Sequence, residues 1–158
     1  MTQLKKAEIK IITNLREDGR IPLTDLSRKI KLPVSTIHDR LKGITDAGIL
    51  KPSAIINFEK IGFSTRAHIL LTVDSTEKEA LLAYLKEHPN VNSLYKINNG
   101  LSLIMECIFK DMPSLENFVE KIEQNFHIKQ KQVHYILEEL KREEFLSKPD
   151  QAGKILTA

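Results

Sequence analysis

Residues 32–50 read LPVSTIHDRLKGITDAGIL. Ile37, Leu41 and Ile44 recur at helical spacing and form one apolar stripe. Pro33 suits the first turn of such a helix and Gly48 suits its end, so the pattern predicts a helix from about Pro33 to Ala47. Ser35, Thr36, His38, Asp39, Arg40 and Lys42 are expected on the face away from the stripe. That polar face is either an ordinary solvated surface or one shaped to lie against something.

The neighbouring segments favour the second reading. Just upstream, Leu23 to Ile30 makes a short helix with Leu26 and Ile30 inward and Thr24 or a neighbour as its cap. Only the tight break KLP separates it from the helix that follows, which is the connection of a helix-turn-helix. Before that, Leu4, Ala7, Ile11 and Leu15, with Ile12 beside them, form a first helix that stops at Asp18-Gly19. Downstream, ILKPSAIINF alternates loosely and predicts a small two-stranded wing, with NFEKIGF as a hinge.

From Phe63 the periodicity changes. STRAHILLTV is a strand, STEKEALLAYLKEH a helix capped by Ser75, and VNSLYKI a strand. NNG is a hairpin turn, LSLIMECIF the returning strand, MPSLENFVEKIEQNF a helix and QKQVHYIL a last strand. The order β-α-β-β-α-β is the split pattern of ferredoxin-like domains. The expected fold is α+β, with a helix-turn-helix over 1–50, a wing or linker over 51–62, a ferredoxin-like domain over 63–140 and a tail over 141–158. The tail is either a short helix or frayed.

Charge divides along the same line. Residues 1–62 hold 12 Lys and Arg against 7 Asp and Glu, a net +5, whereas the remainder of the chain carries −2. The N-terminal part is therefore suited to a polyanion. No apolar run approaches the roughly 20 residues of a membrane span, and MTQLKKAEIK lacks a signal-peptide core, which points to the cytoplasm. The single cysteine, Cys107, lies in an apolar run and reads as a buried small hydrophobe.

The strands carry a further message. Ala67, Ile69, Leu71 and Val73, with Leu101, Leu103, Met105, Cys107 and Phe109 and with Val133, Tyr135 and Leu137, form the face that two helices can cover. The other face holds Leu70, Leu94, Ile104, Ile108 and Ile136 among Arg66, His68, Lys96, Glu106 and His134. So much apolar surface calls for a second sheet against it, and a second copy of the chain supplies one as an isologous dimer.

With these landmarks in place, residues 4–50 resemble the DNA-binding domain of the Lrp/AsnC family of transcription regulators. The resemblance rests on Leu4, Ile11, Leu15, Asp18-Gly19-Arg20, Leu26, Ile30, Leu32, Ser35-Thr36, Arg40, Leu41 and Gly48 in order. INFEKIGF is similar to the family's link, and the βαββαβ half to its regulatory domain. The resemblance implies a homodimer, often assembled into tetramers or octamers, that binds palindromic double-stranded DNA and is tuned by an amino acid or another small effector. It places DNA contact at Ser35, Thr36, His38, Arg40 and Lys42. Asp39 can accept a hydrogen bond from cytosine. Effector contact falls on the turn Asn98, Asn99, Gly100 and Ser102.

Pro33 stands where the family usually has serine, and Gly43 where a long basic residue is common. Asn99 and Ser102 replace a glycine and an aspartate in the regulatory turn.

Two other functions share this architecture: a siroheme decarboxylase-like enzyme and an effector-independent DNA-coating protein. His68 and His134, on neighbouring strands, are the candidates for a metal or tetrapyrrole, and polar groups satisfied within the interface are the simpler account. No catalytic triad, phosphate loop or dinucleotide fingerprint is present in the sequence, so no enzyme, metal or cofactor is expected.

Overall fold

The computed structural model describes residues 4–98, 100 and 102–157. The chain forms two compact units, one built from residues 1–54 and 140–158 and the other from 55–139.

The first unit contains α1 (Lys6–Glu17), α2 (Leu23–Ile30) and α3 (Val34–Asp46), joined at the end of the chain by α6 (Pro149–Thr157). Ile11 and Ile12 of α1, Leu26 and Ile30 of α2 and Ile37 and Ile44 of α3 make one buried cluster. Each comes from the apolar stripe of its helix, so burying the stripes together forces the three helices into contact. The turn after α1 is closed by Asp18, whose Oδ1 accepts the Arg20 N–H at 2.9 Å. Lys31 ends α2 in a left-handed conformation (φ 57°), and the Ser27 hydroxyl donates to the Leu32 carbonyl at 2.5 Å. Gly48 ends α3 at φ 69°, a conformation open to glycine at little cost.

The wing expected from ILKPSAIINF is not formed. Residues 51–57 carry no strand, and Pro52 supplies no N–H for a ladder. NFEKIGF is a single 3-10 turn, Glu59–Ile61, anchored by the Lys60 N–H on Asn57 Oδ1 at 3.1 Å. The segment 141–158 is not a free tail either, because α6 packs on α1 and Ala152 is fully buried.

The second unit runs β1 (Thr65–Val73), α4 (Lys78–Glu87), β2 (Val91–Lys96), β3 (Leu103–Phe109), α5 (Met112–Asn125) and β4 (Ile128–Tyr135). The four strands are antiparallel in the order β2-β3-β1-β4. Along β1 buried and half-buried residues alternate, and Ala67, Ile69, Leu71 and Val73 join Leu81, Leu85, Leu115, Phe118 and Ile122 of the helices in one core. This is the ferredoxin-like arrangement expected from the order of elements.

Several local expectations are corrected. Ser75 does not cap α4. Asp74 organises the turn instead, accepting from Thr76 and pairing with Lys129 at 2.9 Å, and the helix begins three residues after Ser75, at Lys78. Those partners hold the Asp74 carboxyl well below the usual carboxylate range, the Lys129 interaction being the largest cause. Leu94 lies on the helix-covered face: it pairs with Met105 and packs on the core, and a bulge at Asn92 fixes this register. Lys96, opposite Leu103, shifts with it, and the exposed Tyr95 takes the place opposite Ile104. Leu137 lies past the end of β4 and is 95 % exposed, not part of the core. Leu101 and Asn99 lie outside the described residues.

Candidate nucleic-acid interface

In α3 the burial of Ile37 and Ile44 against the first unit's core decides which side chains face water. Ser35, His38, Asp39 and Lys42 are exposed; Thr36 is half-buried. Lys42 has no ion-pair partner among the described residues. The His38 Nδ1 and Asp39 Oδ1 atoms are 3.5 Å apart. At the start of the helix Pro33 provides no side-chain cap and the first turn carries no acid. Its backbone N–H groups therefore remain available to an anion, and the helix dipole favours one there. Val34, seven residues before Leu41 and so in phase with the apolar stripe, is nonetheless exposed at the start of the helix.

Arg40 is the correction at this site. It was expected on the polar face, yet it is half-buried and turned toward α1, with Nη1 3.3 Å from Glu8 Oε1. A helical position four residues before Ile44 and three after Ile37 lies on the flank of the buried stripe. The partner comes from 32 residues away, which no local pattern reveals.

On the sheet, the face not covered by helices brings other groups together. His68 is the cross-strand partner of both Glu106 and His134, while Leu70 opposes Ile104 and Gln132. Ile108 opposes Arg66 and is 7 % exposed within the single chain, so it is already covered. Ile136 follows β4 and donates its N–H to the Arg66 carbonyl at 2.9 Å. Glu106 is buried among Arg66 at 2.5 Å, Asn92 at 2.5 Å and Ser93. Burial works to raise its pKa, and the hydrogen bonds from Asn92 and Arg66 outweigh that and hold it below the ordinary value. Arg66 also pairs with Glu139. Cys107, behind this face, has its thiol pushed up to about 12 by burial, then by Glu106.

Among the described residues no group of three or more His, Cys, Asp or Glu could hold a metal, and no helix is long and apolar enough to cross a membrane. In the turn between β2 and β3, Gly100 has φ 86° and its carbonyl accepts the Thr72 hydroxyl at 2.8 Å. Ser102 donates its N–H to the Leu71 carbonyl at 2.9 Å. The turn is thereby tied to β1.

A helix-turn-helix unit with an exposed polar face on its third helix, followed by a βαββαβ sheet unit, defines a class of two-part DNA-binding regulators. A profile described as winged helix-turn-helix DNA-binding matches residues 4–51, and one described as Lrp/AsnC ligand binding domain matches residues 66–145. The chain belongs to the Lrp/AsnC family of transcription regulators. It is similar to the HTH-type transcriptional regulator FL11 of Pyrococcus horikoshii, with 30% identity over 120 residues that cover 75% of this chain and 80% of the relative. The transcriptional regulator NMB0573 of Neisseria meningitidis, solved as a complex with L-Met, superposes with a TM-score of 0.82 at 27% identity. That match covers 88% of this chain and 93% of the Neisseria chain. LrpC of Bacillus subtilis shares the fold, with a TM-score of 0.80 at 23% identity over 89% of this chain and 99% of LrpC.

Proposed function

We propose that this regulator binds palindromic promoter DNA as a homodimer, with the outer face of α3 in the major groove. Ser35, Thr36, His38, Asp39 and Lys42 are its DNA-facing side chains. The observation that carries the reading is the state of that face: an exposed stripe of polar groups, a lysine without an ionic partner among the described residues and an uncapped helix start. Lys42 meets phosphate, Ser35 and Thr36 serve phosphate from the first turn, and His38 and Asp39 reach base edges. Arg40 acts through its pair with Glu8, holding α3 on α1, rather than on the duplex.

The dimer forms on the open face of the sheet, around Leu70, Tyr95, Ile104 and Ile136. Paired charges on that face suit coverage by another protein surface, because each already has its counter-charge. A small effector, of which an amino acid is the first candidate, acts on the second unit near the turn at Asn98, Gly100 and Ser102. The L-Met complex of the Neisseria relative supports that choice of ligand class.

Selection from a randomised duplex pool, followed by titration of the enriched duplex at several salt concentrations, tests the reading. A two-fold symmetric site whose affinity falls steeply with salt is expected. Repeating the titration with a panel of amino acids that includes L-methionine tests the effector. Binding that is indifferent to sequence would point to a DNA-coating protein, and no binding at all would overturn the assignment. A monomer in sedimentation would remove the dimer.

A further inference from the structure

The helix α1 is buried on more than one side. Ile11 and Ile12 belong to the three-helix core, but Ile9 and Thr13, at 7 % and 1 % exposure, do not. In a bare helix-turn-helix that second side would face water. Here it is closed by the end of the chain: α6 packs on α1 and buries Ala152 completely.

The segment leading into α6 is held by one side chain. Arg16 of α1 donates from Nη2 to the Glu143 carbonyl at 2.6 Å and from Nε to the Phe145 carbonyl at 3.0 Å. Its Nη1 meets the Glu143 carboxylate at 3.1 Å. A planar guanidinium that satisfies two carbonyls and a carboxylate is a latch with fixed geometry. The segment it grips is not a relaxed coil, since Glu143 and Leu146 both take left-handed conformations, with φ of 52° and 61°. Non-glycine residues hold such conformations only where surrounding contacts impose them.

This docking changes the topology of the molecule. The chain passes from the first unit to the second between 54 and 55 and returns between 139 and 140. In the second unit both crossings emerge at one end of the sheet, because the start of β1 and the end of β4 are neighbours, with Ala67 opposite Tyr135. The return is fastened there as well, by the Ile136 N–H on the Arg66 carbonyl and by the Arg66–Glu139 pair. With α6 docked, the DNA-binding unit is tethered twice; with α6 released, only the first crossing holds it.

We propose that Arg16 is a positioning residue for DNA binding: by latching 143–145 it keeps α6 on α1 and restrains the two recognition helices of a dimer for simultaneous contact with two half-sites. The inference rests on the dimeric DNA-binding reading above. A doubly tethered unit explores a smaller volume than a singly tethered one, so its effective concentration at the second half-site is higher. The latch therefore matters for paired half-sites and not for one.

The test uses the full chain as wild type, as Arg16→Ala and as Ala152→Asp, which drives α6 off by placing a charge at its buried position. Hydrogen exchange over residues 149–157 reports docking, and titrations against the two-half-site duplex and a single half-site report binding. Faster exchange is expected in both variants, with affinity for the paired site lower by about tenfold and affinity for the single half-site within about twofold of wild type. Unchanged exchange in both variants overturns the latch. Equal losses on both duplexes reduce Arg16 to a structural part, and faster exchange with no change in the paired site removes its role in positioning. A wild-type chain that binds neither duplex defeats the regulator reading itself, and the inference with it.

Discussion

The outer stripe of α3 and the open face of the sheet both carry charged groups, and they treat charge in opposite ways. On α3, Lys42 stands in solvent without an ionic partner among the described residues, on a helix whose start is uncapped. On the sheet, Arg66, Glu106, Glu139, Asn92 and Ser93 satisfy one another. Unpaired charge keeps its hydration until a counter-charge arrives, which suits a surface that meets a polyanion. Internally paired charge loses less on being covered, which suits a surface that meets another protein face. On the proposed reading the same residue types mark two kinds of partner, and pairing separates them.

The largest effect expected from breaking this contrast is on the sheet. Arg66→Ala strands Glu106 as a buried carboxylate and should destabilise the second unit by about 3 kcal/mol, read as a lower urea midpoint. The pH dependence has a definite sign. Glu106 has a folded pKa below its unfolded one, so its contribution is present at neutral pH and is lost as pH falls through the folded value. The gap between wild type and Arg66→Ala should narrow on acidification.

Next in size, Ile104→Asp puts an unpaired charge beside Leu70 and Tyr95. It should weaken the dimer by about 2–3 kcal/mol, seen as monomer in sedimentation at concentrations where wild type is dimeric. A dimer of unchanged strength would show that this face is not the interface.

A smaller effect sharpens the comparison within α3. Lys42→Ala should weaken DNA binding by about 1 kcal/mol and reduce the salt slope by about one. Arg40→Ala should leave the slope alone and change thermal stability by less than about 1 kcal/mol, because its pair with Glu8 is partly solvated. Equal slopes for the two variants would cancel the distinction drawn between them.

The smallest change is stabilising. A Cβ added at Gly43 meets nothing within 4 Å, so Gly43→Ala should raise the melting stability of the first unit by about 0.5–1 kcal/mol.

The elements of both units were legible because each is written locally. Leu26, Ile30, Ile37 and Ile44 announce helices whose stripes must meet, and the alternation Ala67, Ile69, Leu71, Val73 announces a strand that helices cover. The candidate DNA face was legible in its exposed members, since Ser35, His38, Asp39 and Lys42 follow from the phase of Ile37 alone. Arg40 was not: its spacing fits either face, and the choice fell to Glu8.

What the sequence by itself determined is the order of helices and strands, the division of charge between the two halves and the polar stripe on α3, all set by contacts within a turn or a strand. Only the tertiary structure decided the register of β2 after the bulge at Asn92, the absence of a wing, the turning of Arg40 and the docking of α6 on α1. The register of β2, the turning of Arg40 and the docking of α6 each depend on a partner distant along the chain, and such a partner leaves no period in the sequence by which to find it.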